Sequence, residues 1–169
     1  MPRITEGNLT FDFPHGWQVA KFDEWSFYRN QFRRLCGGSK GIDILALDPA
    51  SGWLWQIEVK DYREHRRPKA GGVAEEVVQK ARDTLAALAA ARVNANDAGE
   101  MAMADAALRS RRLRLVLHLE QPPTPSRLSP RDFDPVDIQQ RLRQLAKPID
   151  PHPLVHEINR MPNCPWTVR

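Results

Sequence analysis

A chain of 169 residues and 19.3 kDa, 41% hydrophobic and 27% charged, has the size and composition of one globular domain, which excludes a disordered polymer and a bundle of membrane spans. Its two cysteines, Cys36 and Cys164, form no CxxC pair, which excludes a zinc ribbon or a disulfide scaffold and points to a reducing compartment. Against 21 Asp and Glu stand 25 Lys and Arg, a net charge of +4 that suits a polyanionic partner.

The opening residues carry neither a secretory leader nor a lipidation signal, and no apolar run approaches the roughly 18 residues of a membrane span. The expectation is a soluble, cytoplasmic protein without a membrane partner. Leu9 to Phe13 alternates apolar and polar residues and stops at Pro14, the pattern of a short strand, and Trp17 to Phe22 reads as a second. With Asp23 as N-cap, Trp25, Tyr28, Phe32 and Leu35 fall at steps of three and four and predict a helix that Gly37 and Gly38 terminate. Ile42 to Asp48 and Trp53 to Tyr62 are rich in strand formers and flank Pro49-Ala50-Ser51-Gly52, a turn sequence, so the two make a hairpin. A helix is expected over about Val73 to Val93 on the stripe Val77, Ala81, Leu85 and Leu88, and a shorter alanine-rich one follows. Arg112 to Leu119 reads as a strand with its leucines on one face. After the proline-rich connector Gln121 to Pro130, Asp134 and Pro135 open a helix carrying Ile138, Leu142, Leu145 and Ile149. The tail adds an edge strand. The whole is one α/β domain, residues 1 to 169, with a mixed central sheet flanked by helices.

The chemistry concentrates in the hairpin. A four-residue loop pairs Asp48 with Trp53 and therefore sets Asp43 opposite Glu58, with Cβ atoms about 4.5 to 5.5 Å apart on one face. Lys60, two residues past Glu58, shares that face. Opposed carboxylates repel unless a positive group lies between them, and a hard divalent cation is the usual solution. The bland alternative is that Leu54, Gln56, Glu58, Lys60 and Tyr62 form the wet face of an antiparallel sheet, with Glu58 and Lys60 a surface pair.

The string GIDILALDPASGWLWQIEVKDY from Gly41 resembles the PD-(D/E)XK nucleases of the restriction-endonuclease-like superfamily, with an Asp on one strand and Glu-x-Lys on the next. The resemblance covers roughly the first two-thirds of the chain, and Ile42 stands where the family's name-giving motif has proline. It implies a restriction-endonuclease-like core and a metal-dependent nuclease hydrolysing DNA phosphodiester bonds. Asp43 and Glu58 would hold magnesium or manganese, Lys60 would position the attacking water, Glu24 would be a further ligand from the first helix, and Gln79 would face the site from the helix after the hairpin. The basic stretch with Arg63, Arg66, Arg67 and Lys69 leaves the motif strand on the same end and would grip the DNA backbone. A second basic stretch runs through Arg109, Arg111, Arg112 and Arg114. A homodimer or a protein partner is open. The rival expectation is a non-catalytic nucleic-acid-binding or assembly module on the same fold. His118 reads either as a general base or as a structural strand histidine, the second being favoured, and the five tryptophans read as core and interface residues.

Overall fold

The computed structural model describes residues 1–64, 72–124 and 132–169. The hairpin follows from its turn. Gly52, at a φ of +71°, closes the loop, and Asp48 accepts hydrogen bonds from the amides of Ala50 and Ser51 at 3.1 and 3.3 Å, an Asx-type cap that fixes the loop length. Its arms, with the short strands that precede them in sequence, complete most of two sheets. The strands are β1 (Arg3–Glu6), β2 (Leu9–Asp12), β3 (Gln18–Lys21), β4 (Ile44–Asp48), β5 (Trp53–Asp61), β6 (Arg112–Glu120), β7 (Leu154–His156) and β8 (Thr167–Val168).

The larger sheet runs β3-β4-β5-β6-β7, antiparallel among the first three and parallel from β5 onward. The smaller runs β1-β2-β8 and is antiparallel. The chain is thus mixed α/β with a mixed sheet. Parallel pairing of β5 with β6 demands a long crossover, supplied by α2 (Val73–Asn94) and α3 (Ala98–Leu108). Helix α4 (Pro135–Ala146) leads into β7; the Asp134 carboxylate caps it by accepting from the Val136 amide at 2.8 Å, with proline in the first turn as the sequence predicts.

Each strand of the hairpin is buried on both faces. Leu45, Leu47, Leu54, Leu115, Leu117 and Leu119 pack under α2 and α4, while Ile44, Ala46, Trp55, Ile57 and Val116 meet Leu9, Phe11 and Phe13 of the smaller sheet and Trp166 of the tail. The face of Leu54, Gln56 and Glu58 is therefore helix-covered, and the wet-face alternative falls.

The segment after Asp23 departs from the single helix expected. A 3-10 turn over Phe22–Glu24, a short α1 (Ser26–Asn30) and a kinked 3-10 stretch over Phe32–Gly37 replace it, and Asp23 does not cap α1. Trp25, Phe27 and Tyr28 are buried and Phe32 packs half-buried beside Phe27, but the apolar stripe stops short of Leu35, which is 53% exposed, and Cys36 adopts a φ of +50°. The chain must turn back to reach β4, and at Gly41 it passes so close to the Phe22 and Tyr28 rings that a Cβ would lie 3.0 Å from both. No helix among the described residues is long and apolar enough to cross a membrane.

Candidate functional site: an alternating chain of carboxylates and lysines

Asp43 sits one residue before β4 and keeps the hairpin ladder going with its side chain. Its Oδ2 accepts from the Val59 amide at 2.7 Å, and its own carbonyl accepts from the Phe22 amide at 2.9 Å. The observed pairing of Ile44 with Ile57 sets Asp43 opposite Glu58, as the loop length requires. Glu58 is completely buried, with Leu117 of β6 beside it.

The positive group between these carboxylates is Lys80, from the third turn of α2. Its Nζ donates to Glu58 Oε1 at 2.6 Å and to Asp43 Oδ1 at 3.2 Å. Lys60 Nζ lies 2.9 Å from the same Glu58 oxygen and donates to Glu76 Oε1 at 2.9 Å. The side chains form an alternating chain: Asp43, Lys80, Glu58, Lys60, Glu76. Thr84, one turn after Lys80, anchors the helix by accepting from the buried Ile42 amide at 2.9 Å, and Asp83 accepts from the Lys40 amide at 3.0 Å. Helix and hairpin are thereby held in register around the charges.

Burial, and after it the Asp43 carboxylate, push the Glu58 carboxyl up to about 8, with the two ammonium groups pulling the other way. Burial also opposes the charge on Lys80 and Lys60, but their carboxylate partners outweigh it and hold both above the ordinary lysine value. Near neutral pH both lysines are ammonium ions, donors and counter-charges but not bases. Glu58 Oε2 and both amide atoms of Gln56, two residues earlier on the same face, are buried without hydrogen-bond partners.

Beside Lys80 opens a cleft of about 340 Å³, lined by Asp23, Arg29, Arg33, Lys40, Asp43 and Lys80 among others. Burial and the nearby Asp43 charge raise the pKa of Asp23. Asp23, not Glu24, is the acid from this segment that reaches the site. Glu24, expected as a metal ligand, is half exposed and pairs with Lys21 at 2.9 Å. The residues of α2 that reach the triad are Glu76 and Lys80, and Gln79 makes no hydrogen bond there. Arg63 is folded onto Asp61, donating through Nε at 2.9 Å and Nη2 at 2.6 Å, which leaves little of its guanidinium for a phosphate. Arg66, Arg67 and Lys69 lie outside the described residues. His118 is buried on the opposite face of the sheet, edge-on to Phe11 at 5.2 Å and with Nε2 2.9 Å from Glu120 Oε1; it belongs to the core under the smaller sheet.

The expected magnesium or manganese ion meets an awkward donor set. Among the described residues no group of three or more His, Cys, Asp or Glu side chains could hold a metal ion, and the point shared by Asp43 and Glu58 is taken by an ammonium. A magnesium ion prefers an octahedron of oxygens, so it would have to displace Lys80.

Sequence reasoning missed Lys80, Glu76 and Asp23. Glu76 and Lys80 are i,i+4 on one helix face beside the buried Val77 and Ala81, a signal that a pattern of apolar residues alone does not expose.

No family model and no solved structure matches the chain. A cysteine–tRNA ligase of Neisseria meningitidis serogroup A / serotype 4A (strain DSM 15465 / Z2491) is 33% identical over 165 residues, a match that covers 79% of this chain and 23% of that protein. The chain thus spans about a quarter of the length of the relative it matches. This overturns the expectation of a metal-dependent nuclease, a DNA hydrolase: the similarity leads to part of a tRNA ligase.

Proposed function

We propose that this chain is a non-catalytic RNA-binding module, of the kind that can form part of a tRNA ligase, with tRNA or tRNA-like RNA as its partner. The observation that carries the reading is the match of most of the chain to about a quarter of a cysteine–tRNA ligase. A segment of that share has the size of one module of a larger enzyme. The net charge of +4 supports an RNA partner over a protein one.

The buried charges support the same reading. Lys80 lies between Asp43 and Glu58, and Lys60 is shared between Glu58 and Glu76. Such a chain of charges cross-links α2 to the hairpin and fixes their geometry, a role that needs neither a metal nor a reacting water. The order of antiparallel β3-β4-β5, crossover helix and parallel β6 is compatible with a restriction-endonuclease-like core, and we read the fold as that plan turned to binding.

Fluorescence anisotropy with a labelled tRNA transcript, in EDTA and again in magnesium, tests the proposal. Binding that weakens steeply with salt and does not require the divalent ion is expected, with duplex DNA of equal charge a poorer competitor. Failure to bind tRNA at low salt refutes the reading, and preference for duplex DNA moves the partner to DNA.

A further inference from the structure

The second basic stretch of the sequence, Arg109 to Arg114, lies far from the carboxylate chain, at the turn end of the hairpin and next to tryptophans. Strand register builds the arrangement. Gln18 pairs with Leu47, which places Trp17, one residue earlier, beside Asp48; Asp48 pairs with Trp53, and Trp53 with Arg112. Asp48, Trp53 and Arg112 therefore form one row across three neighbouring strands, about 4.8 Å apart from strand to strand, with Trp17 at its end just before β3. Paired residues point to one face of a sheet, here the face opposite Lys60 and Glu58.

Three features make the row a surface. Trp17 and Trp53 are half-buried, in contrast to Trp25, Trp55 and Trp166, and both pack on Trp55, with ring centroids 6.3 and 5.6 Å from it. The guanidinium carbons of Arg112 and Arg114 lie 5.4 and 5.0 Å from the Trp53 ring centroid. Arg114 is fixed there, donating to the His152 carbonyl at 2.7 Å and lying 3.3 Å from Asp150.

The charge at this end of the sheet is not cancelled. Arg111 and Arg112 are exposed and make no ion pair among the described residues. Asp48, the acid in the row, spends its oxygens on the turn amides and the Ser51 hydroxyl, and Asp105 is occupied by Arg92 and Arg109. The backbone beneath the two free arginines is also fixed, because the Gly52 carbonyl accepts from both their amides, at 3.0 and 3.2 Å. Trp17 is also stacked on Phe13 at 6.0 Å, so what this end of the sheet offers is the remaining indole surface and the guanidinium plane stacked on Trp53, beside the uncompensated charges of Arg111 and Arg112; a single strand of nucleic acid recognises such a site by stacking bases on rings and guanidinium planes and setting phosphates against the charges.

We infer that Trp17 and Trp53 with Arg111 and Arg112 form a docking surface for a single-stranded segment of RNA. The inference rests on the RNA-binding reading above and locates its contact.

The test measures anisotropy with a labelled, unstructured single-stranded RNA and with a tRNA transcript, for the parent chain, Trp53→Ala, Trp53→Phe and Arg111→Gln/Arg112→Gln. Trp53→Ala should weaken single-strand binding by roughly ten-fold or more, and Trp53→Phe, which keeps a stacking face, should retain most of it. The double arginine variant should weaken binding and lower the slope of log K against log salt by about 1.4, the release expected for two phosphate contacts on a single strand. Thermal melts establish that each variant is folded, and Trp53→Phe and the surface arginine pair carry the test if Trp53→Ala is not. If the parent binds RNA while Trp53→Phe, Trp53→Ala and the arginine variant all match it, the surface is wrong and the RNA reading stands. If the parent binds neither RNA, both fall.

Discussion

Replacing Lys80 by Met keeps the unbranched stem and removes the ammonium that two carboxylates share. At an effective dielectric of about 20, contacts of 2.6 and 3.2 Å are each worth about 5 to 6 kcal/mol before any cost of desolvation is subtracted. Because the Lys80 side chain is only 15% exposed and that of Glu58 not at all, much of this is offset by burial, and the expected net loss is roughly 3 to 5 kcal/mol, the usual result of removing one partner from a buried pair. The loss must depend on pH. The Glu58 carboxyl is already pushed up to about 8 with Lys80 present, so at pH 6 it keeps its proton with or without the lysine and the loss is smaller there. At pH 9 it is driven to ionise beside Asp43, and the loss should be largest. Urea unfolding followed by tryptophan fluorescence at pH 6 and pH 9, for Lys80→Met, Glu58→Gln and the double variant, separates the terms. The double variant should recover a large part of the Lys80→Met loss at pH 9, since no charge then remains at position 58. A loss below about 1 kcal/mol at pH 9, or strict additivity of the two changes, would show that Lys80 is a surface lysine in effect and not the keystone of the site.

The pH dependence of the parent has two opposed parts. Glu58, raised from 4.5 to about 8, favours the fold fully below pH 4.5 and loses that contribution as pH rises through 8; His156, lowered by burial from 6.5 to about 4, contributes fully above 6.5 and loses it as pH falls toward 4. For these two groups stability should be nearly level between about pH 4.5 and 6.5 and then decline toward pH 8 by at most about 1.4 kcal/mol per unit, a decline that denaturant titrations should find absent in Glu58→Gln. Gly41→Ala should cost roughly 1 to 3 kcal/mol, read as a lower melting temperature, because its Cβ would press on the Phe22 and Tyr28 rings; an unchanged melting temperature would mean that the segment before β4 yields freely. Glu100→Ala removes the carboxylate that accepts from the Ser26 and Phe27 amides at 2.6 and 3.0 Å and should cost about 1 kcal/mol in the same measurement, with Glu100→Gln recovering part of it.

What the sequence made legible is what short-range physics controls. The hairpin register followed from turn chemistry at Pro49 to Gly52, and with it the opposition of Asp43 and Glu58. Helix α2 followed from an apolar period sustained over 22 residues, and α4 from Asp134 and Pro135. The elements that escaped are short and held by distant partners. Strand β7 has three residues and exists because β6 offers a parallel edge; β1 has four and pairs across Gly7 with β2. The segment from Trp25 to Leu35 carries helical spacing but cannot follow it to the end, because the path back to β4 is fixed by packing at Gly41, a constraint that spacing does not encode.

The site divides along the same line, and the division explains why the nuclease expectation arose. Two opposed carboxylates followed by a lysine are a local pattern, and the argument that such a pair needs a positive group between its members holds. What the local pattern cannot say is where the charge comes from. A divalent ion and a lysine on a helix 22 residues away in sequence from Glu58 solve the same electrostatic problem, and the docking of α2, pinned by Thr84 on the Ile42 amide, is what brings that lysine there. Where the ion is supplied from solution, its open coordination positions admit a substrate oxygen. Where a tethered ammonium supplies the charge, its N–H groups are spent on the carboxylates, and the same residues become a cross-link between helix and hairpin. In this chain the ammonium of Lys80 lies between Asp43 and Glu58, and the same contacts tie α2 to the hairpin.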